Sequence, residues 1–428
     1  MNKNILMICY YYPPLTDVGC KRSVFFAKYF KEYGWNPFVL SVKNPDTTYC
    51  SLGTDTPPKG IPVTYSLSLF SLYKFFGKLN ALLYRLLKVF RIELKKNYFF
   101  EFLCVPDIFT GWVPMAIVNG LKLIKKHDID LIYVSITPLS SAMIGWWLKK
   151  ITGKPLVLDY RDPFGVDLTK YQPHFVDGWF RSHVDRWYAN AMLRSCDMLT
   201  VTTRETEQLY RDQYPFVNEK IHTIYNGFDH RFLDQLQPEN KFEKFTIIYT
   251  GEFYYPIEYE YFFAGLDLLK KQGSITGDNF QFLFYGGNIS DLKHILAKYD
   301  IKDLVALRQR IPYVEVLREI QKSHLQLLRI MQPMISTKLF EGIPLNIPFL
   351  ATIPEGEVEQ IIRKYSPSSF VVTEKRPEPV AESIVNAMQQ YRDGKIADNH
   401  VSEFLSSFSR AKSAKNMLAL MENLLPSK

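Results

Sequence analysis

The chain has 428 residues and a formal net charge of +8, and 47% of it is hydrophobic, a length beyond one ordinary core and a composition that excludes disorder, so two domains are expected. Its five cysteines (Cys9, Cys20, Cys50, Cys104, Cys196) are scattered without a CxxC pair, which argues against a disulfide framework or a zinc site and for a cytoplasmic setting. Met1 to Pro14 reads as a first strand and not as a signal peptide, and no apolar run approaches the roughly 20 residues that would cross a bilayer.

In chain order, the apolar run Ile5 to Tyr10 leads through a Pro-Pro turn and Gly19 into Arg22 to Tyr33, which has helical spacing, and Trp35 to Val42 supplies the next strand. Strand, glycine-containing loop, helix and strand are the opening of a doubly wound α/β sheet. The rhythm continues with a helix from about Trp112 to His127, strand Leu131 to Ser135, helix Ala142 to Lys150 and strand Pro155 to Tyr160. Helix Asp177 to Arg194, strand Met198 to Thr202, a helix around Glu205 to Tyr214 and strand Ile221 to Tyr225 complete a Rossmann-like N-terminal domain, 1–234. Residues 235–244 are polar and aperiodic, the composition of a linker. A second Rossmann-like domain, 245–400, restarts with Thr246 to Thr250 and Gly251, continuing through strands at Phe280 to Tyr285, Leu304 to Leu307, Leu325 to Ile330, Pro348 to Ala351 and Ser369 to Val372. A last helical segment, 401–428, is expected to return to the N-terminal domain.

Residues 69–96 break the rhythm. On a helix turning about 100° per residue, Lys74, Lys78, Arg85, Lys88 and Lys95 share one arc, opposite Phe76, Leu79, Leu83 and Leu87. The segment holds seven Lys or Arg against Glu93, a net +6 of the chain's +8, so the basic character is mostly local. Charge of one sign above an apolar face fits an anionic membrane surface; a solvated face on a helix packed into the domain is the alternative. Aromatics opposite the charges argue against nucleic acid.

Ligands of doubly wound sheets sit beyond the carboxyl ends of strands, where helix N-termini accept phosphate. The loop Tyr10 to Arg22 has one glycine, so it is not a dinucleotide-binding GxGxxG turn. Arg22 could clamp phosphate or stay solvated. In Ile335 to Glu341 (ISTKLFE), Ser336 or Thr337 would cap a short helix, leaving backbone N–H groups for a diphosphate beside Lys338. Glu341, one turn in, could accept two ribose hydroxyls or be an exposed surface acid. His183, His222 and His230 are isolated, and no metal cluster is visible.

Six phrases in order span nearly the whole chain: ICYYYPPLTDVGCKR with FAKYFKEYGWNPFVLSV, SITPLSSAMIGWWLKKITGKPLVLDYRDPF, CDMLTVTTRETEQL, IYNGFD, IIYTGEFY and ISTKLFEGIPLNIPFLATIPEGE. Together they resemble the GT-B glycosyltransferases, in particular retaining family 4 and its bacterial surface-polysaccharide members. The resemblance implies two Rossmann-like domains and a metal-independent glycosyltransferase at the cytoplasmic face of the inner membrane. It implies a nucleotide-diphosphate sugar as donor substrate, with no separate cofactor, and a glycan or lipid-linked acceptor. It sets Gly19 beside the donor phosphates, Arg161 and Asp162 on a cleft-facing loop, Asn226 at the turn after the last N-terminal strand, Gly251 at the first donor-domain turn and Glu341 on the donor ribose. Pro333 stands where the family usually carries a further glutamate, GEFYYPIEYE lacks the usual basic pair, and Thr16-Asp17 replaces a glycine pair. Diphosphate charge would then fall to Lys338, Arg329 or Arg22. A retaining transfer needs no dedicated base; an inverting one would turn to Asp17 or Asp162. A sugar-nucleotide epimerase or hydrolase, or a non-catalytic partner subunit, would share the fold.

Overall fold

The computed structural model describes residues 3–16, 18–47, 50–53, 56–89, 104–168, 179–252, 260–287, 289–330 and 334–426. Asp17, Pro333 and Lys95 lie outside these residues. Two compact units divide the chain, one made of Met1–Tyr225 and Ser413–Lys428, the other of Asn226–Lys412.

The first unit is built on a parallel seven-stranded sheet. Its strands are β1 (Lys3–Ile8), β2 (Trp35–Val42), β3 (Val63–Ser66), β4 (Leu131–Ile136), β5 (Leu156–Tyr160), β6 (Met198–Val201) and β7 (Ile221–Thr223), in the order β3-β2-β1-β4-β5-β6-β7. Runs such as LIYVSI in β4 and LVLDY in β5 are buried along their whole length. Such unbroken apolar runs are what a parallel sheet covered on both faces requires. The helices are α1 (Val18–Glu32), α2 (Leu72–Val89), α3 (Val113–His127), α4 (Ser140–Thr152), α5 (Trp179–Ser195) and α6 (Arg204–Gln213). Thr203 caps α6 by accepting from the Thr206 N–H, and α4 stops at Gly153, whose φ of 70° is the left-handed conformation that glycine adopts without strain. Strand order reverses between β1 and β4, the place where such sheets open a crevice.

The second unit repeats the plan with six strands: β8 (Phe245–Thr250), β9 (Phe280–Tyr285), β10 (Val305–Arg308), β11 (Leu325–Arg329), β12 (Phe349–Thr352) and β13 (Phe370–Val372), in the order β10-β9-β8-β11-β12-β13. Helices α7 (Glu260–Lys271), α8 (Ile289–Leu296), α9 (Tyr313–Lys322), α10 (Thr337–Gly342), α11 (Glu357–Tyr365), α12 (Pro377–Arg392), α13 (Val401–Phe408) and α14 (Arg410–Glu422) complete the described helices. Here the order reverses between β8 and β11.

Three boundaries differ from expectation. The division falls between Tyr225 and Asn226, ahead of the expected 234. Residues 235–244 belong to the second unit, where the Lys241 ammonium donates to the carbonyls of Gln321 and Ser323 at 3.0 and 2.6 Å; polar composition there serves a fastening to the end of α9. The single terminal helix is two helices, because Ser409 leaves the helical conformation to bridge Phe228, with Phe228 N–H donating to Phe408 O and Arg410 N–H to Phe228 O. From Ser413 onward, α14 belongs to the first unit, where the Ser413 hydroxyl donates to Tyr225 O at 2.8 Å.

The second unit carries an acid-sensitive hydrogen bond. Thr246 N–H donates to Nδ1 of His324 at 3.1 Å, so that nitrogen must be unprotonated. Burial and then the Lys241 ammonium pull the His324 imidazole down to about 4. An unfolded histidine titrates at about 6.5, so between these values the unfolded chain binds more protons and stability is lost as the pH falls. Urea denaturation should show the second unit losing up to about 3 kcal/mol between roughly pH 6.5 and 4. His324→Asn keeps an acceptor that does not titrate, and should flatten the slope.

Candidate functional site

At the carboxyl end of β8 the chain turns at Gly251, whose φ of 105° disfavours any side chain. Gly251 N–H donates to Tyr285 O at 2.7 Å, and Gly286 on the neighbouring turn approaches so closely that a Cβ there would lie 2.2 Å from Gly251 O. Two glycine turns therefore pack backbone on backbone above β8 and β9. The Lys338 ammonium reaches this turn, 3.5 Å from where a Gly251 Cβ would be, and lies 4.7 Å from the Tyr249 ring centroid. The Arg329 guanidinium, at the end of β11, lies 5.8 Å from the same ring. Two cations thus lie against one aromatic ring at the topological switch.

Lys338 is held there by α10. Ser336 caps the helix, its hydroxyl accepting from Lys338 N–H at 3.3 Å, while Leu339 N–H donates to Ser336 O. Those two amides are engaged within the turn. Gly342 seats the other end: a Cβ on it would fall 2.5 Å from both the Phe349 ring and Gln326 Oε1, so only glycine lets α10 lie this close to β11 and β12. Glu341 is 7% exposed and not a surface acid. The Tyr313 hydroxyl hydrogen-bonds to its carboxylate, and burial first, then Glu341, push that hydroxyl's pKa up. Tyr313 packs edge-on to Phe232 at 5.1 Å.

In the first unit, Gly19 opens α1 under Arg161: a Cβ on Gly19 would lie 2.2 Å from the guanidinium. Arg161 is held by the carbonyls of Ile136 and Thr137 at 3.0 and 2.8 Å, and stands over the Tyr11 ring at 5.6 Å. Asp162 is exposed on the same loop, and Asn226 is half-buried. Arg22, by contrast, is 3% exposed and bound bidentately to Asp159 at 2.8 and 2.9 Å, with further bonds to Ile224 O and Tyr225 O. It is a buried structural cation and not a phosphate clamp.

Across almost its whole length the chain superimposes on solved structures. Sucrose-phosphate synthase from Thermosynechococcus elongatus matches with a TM-score of 0.65 at 14% identity, covering 99% of each chain. HepE of Anabaena, in complex with UDP and glucose, matches at 0.64 and 13% over 99% of this chain and 100% of that one. A Listeria monocytogenes structure assigned as a UDP-N-acetylglucosamine 2-epimerase matches at 0.57 and 10%, covering 99% and 96%. This chain has the GT-B fold. Within the GT-B chain, residues 101–232 match the family model for Glycosyltransferase Family 4, a stretch short of half its length. Fold and family segment together support a transferase. No curated protein sequence matches the chain.

The GT-B chain brings Gly251, Ser336, Thr337, Lys338 and Glu341 onto one edge of the second sheet, and Gly19, Arg161 and Asp162 onto the corresponding edge of the first. Two residues escaped sequence reasoning. Asp159 was legible as an acid inside a wholly apolar strand, which demands a partner; Tyr313 had no local signal. On α2, which runs unbroken through Gly77, Lys74, Lys78 and Arg85 are exposed, as are Phe75 and Leu79, while Phe76 is buried. The side chain of Lys88 lies outside the described residues. Among the described residues, no group of three or more His, Cys, Asp or Glu could hold a metal, and no helix is long and apolar enough to cross a membrane.

Proposed function

We propose that the chain transfers a sugar from a nucleotide-diphosphate sugar to a hydroxyl of a glycan or lipid-linked acceptor, with retention and without a metal, in cell-surface polysaccharide biosynthesis. The observation that carries this reading is the pair of cations, Lys338 and Arg329, against the Tyr249 ring beside the Gly251 turn, with the buried Glu341 carboxylate on the short helix that carries Lys338. A diphosphate placed at the turn would meet Lys338, and ribose hydroxyls would meet Glu341. As the bond from the anomeric carbon to the diphosphate oxygen breaks, Lys338 stabilises the departing charge. The acceptor oxygen bonds to that carbon and its proton passes to the departing phosphate, so no side-chain base is required. In the first unit, Gly19 leaves room for the Arg161 guanidinium, and Arg161 and Asp162 would face the acceptor. UDP-sugars are the first donors to test, because HepE is described in complex with UDP and glucose. The exposed Lys74, Lys78 and Arg85 of α2 would meet anionic lipid at the cytoplasmic face of the inner membrane.

Donor binding tests this directly. Glu341→Ala should weaken UDP-sugar affinity by about 10- to 100-fold in calorimetry, the loss of one hydrogen bond to a charged acceptor. Tyr313→Phe, which keeps the carboxylate, should weaken it far less. Equal affinity in the Glu341 variant would remove the ribose role. The epimerase reading, favoured by the Listeria structure, predicts altered or released nucleotide-sugar without acceptor; a transferase releases nucleotide only when acceptor is present.

A further inference from the structure

Helices α3, α4 and α5 lie side by side over one face of the first sheet. Their sequences hold eight Lys or Arg and a single acid, Asp185, which is buried and paired with Arg181 at 2.9 Å. Lys149 is paired with Asp197. The remaining cations on this layer (Lys122, Lys125, Lys126, Lys150, Arg186 and Arg194) face solvent with no acid on their helices to balance them.

Large apolar side chains stand exposed among those charges. Trp187 is 70% exposed and Ile151 55%, with Trp147, Phe180 and Val118 also open to solvent. On α5, Phe180 and Trp187 are two turns apart and so share a face. A groove of about 690 Å³ opens beside Trp187, lined by Arg186, Asn190, Arg194 and Phe216. Arg194 lies 4.1 Å from the Phe216 ring and donates to Asn190, so it is fixed in place, while Arg186 next to Trp187 projects from the rim.

We propose that the outer faces of α4 and α5 form a docking surface for an anionic lipid bilayer, with Trp147, Trp187 and Ile151 at interfacial depth and the groove taking a phosphate-bearing headgroup. Indoles prefer the headgroup region, and cations around them gain from the negative surface potential. A second copy of the chain is the poorer occupant, because a twofold contact would set this one-signed patch against itself. The surface extends the membrane reading given for α2 but does not depend on it, since it lies on different helices.

The test is partition of the full-length chain onto phosphatidylcholine vesicles with and without phosphatidylglycerol, alongside thermal unfolding of each variant. Lys150→Gln with Arg186→Gln should weaken partition to the anionic vesicles about 25-fold, fivefold for each charge. Trp147→Ser with Trp187→Ser should weaken it on both kinds of vesicle. Unaltered partition in these variants, with loss in Lys74→Gln/Lys78→Gln/Arg85→Gln, overturns the proposal and leaves α2 as the contact. The converse pattern retains it and removes α2. Quenching of Trp187 fluorescence by a soluble acidic polysaccharide, without vesicle binding, would assign the groove to glycan and overturn it too.

Discussion

Asp159→Asn is expected to destabilise the first unit by about 3–5 kcal/mol, because it leaves the Arg22 guanidinium buried without its counter-charge. Asp159 is 0% exposed and receives, besides the two bonds from Arg22, the Tyr133 and Thr200 hydroxyls at 2.6 Å each. Burial alone would push this carboxyl up, but Arg22 and these hydroxyls outweigh it and hold it below the ordinary carboxylate value. A folded carboxyl below its unfolded value of about 3.9 contributes stability that is present above that pH and lost as pH falls through the folded value. Urea denaturation near neutral pH should show a lower midpoint for the variant. The double variant Arg22→Met/Asp159→Leu should recover much of the loss, since an apolar pair of similar volume is often neutral. If the double variant is as unstable as the single, hydrogen bonds from Arg22 to Ile224 O and Tyr225 O carry the stabilisation instead, by holding the end of the first unit's last strand.

That pair also marks where the sequence stops being legible. The apolar runs and glycine turns gave the strand-helix rhythm and the doubly wound class, because a parallel sheet covered on both faces leaves an unbroken apolar signature. Strand β3 gave none: VTYS is four residues at the sheet edge, mostly half-buried, with too little apolar content to stand out. The break between α13 and α14 is set by Phe228, far away in sequence, and no helix-stop residue announces it. In the site, Ser336, Lys338 and Glu341 were readable because one short helix sets their spacing. What could not be read was that Lys338 folds back over Tyr249 while Glu341 turns into the unit toward Tyr313, since both contacts are made by other strands and helices. Arg22 misled for the opposite reason. A cation at a helix start resembles a phosphate ligand until the acid in the neighbouring strand is seen to face it.

Lys338→Met is expected to lower kcat by about 10²- to 10³-fold, some 2.7–4 kcal/mol of stabilisation for charge developing on the leaving diphosphate. Methionine keeps an apolar stem over the Tyr249 ring and removes only the ammonium, so thermal stability should move little. The size of the effect follows from placement. The ammonium stands at the turn, 3.5 Å from where a Gly251 Cβ would be, and the Ser336 cap with the close Gly342 contact fixes the helix that carries it. If the charge acts on the ground-state diphosphate and the departing one alike, KM rises and kcat holds; if it acts on charge that develops on departure, kcat falls and KM changes little. Lys338→Arg should recover part of the rate, because the charge returns on a longer, planar group. A Met variant with full kcat would shift the work to Arg329, and Arg329→Met would then show the loss in its place.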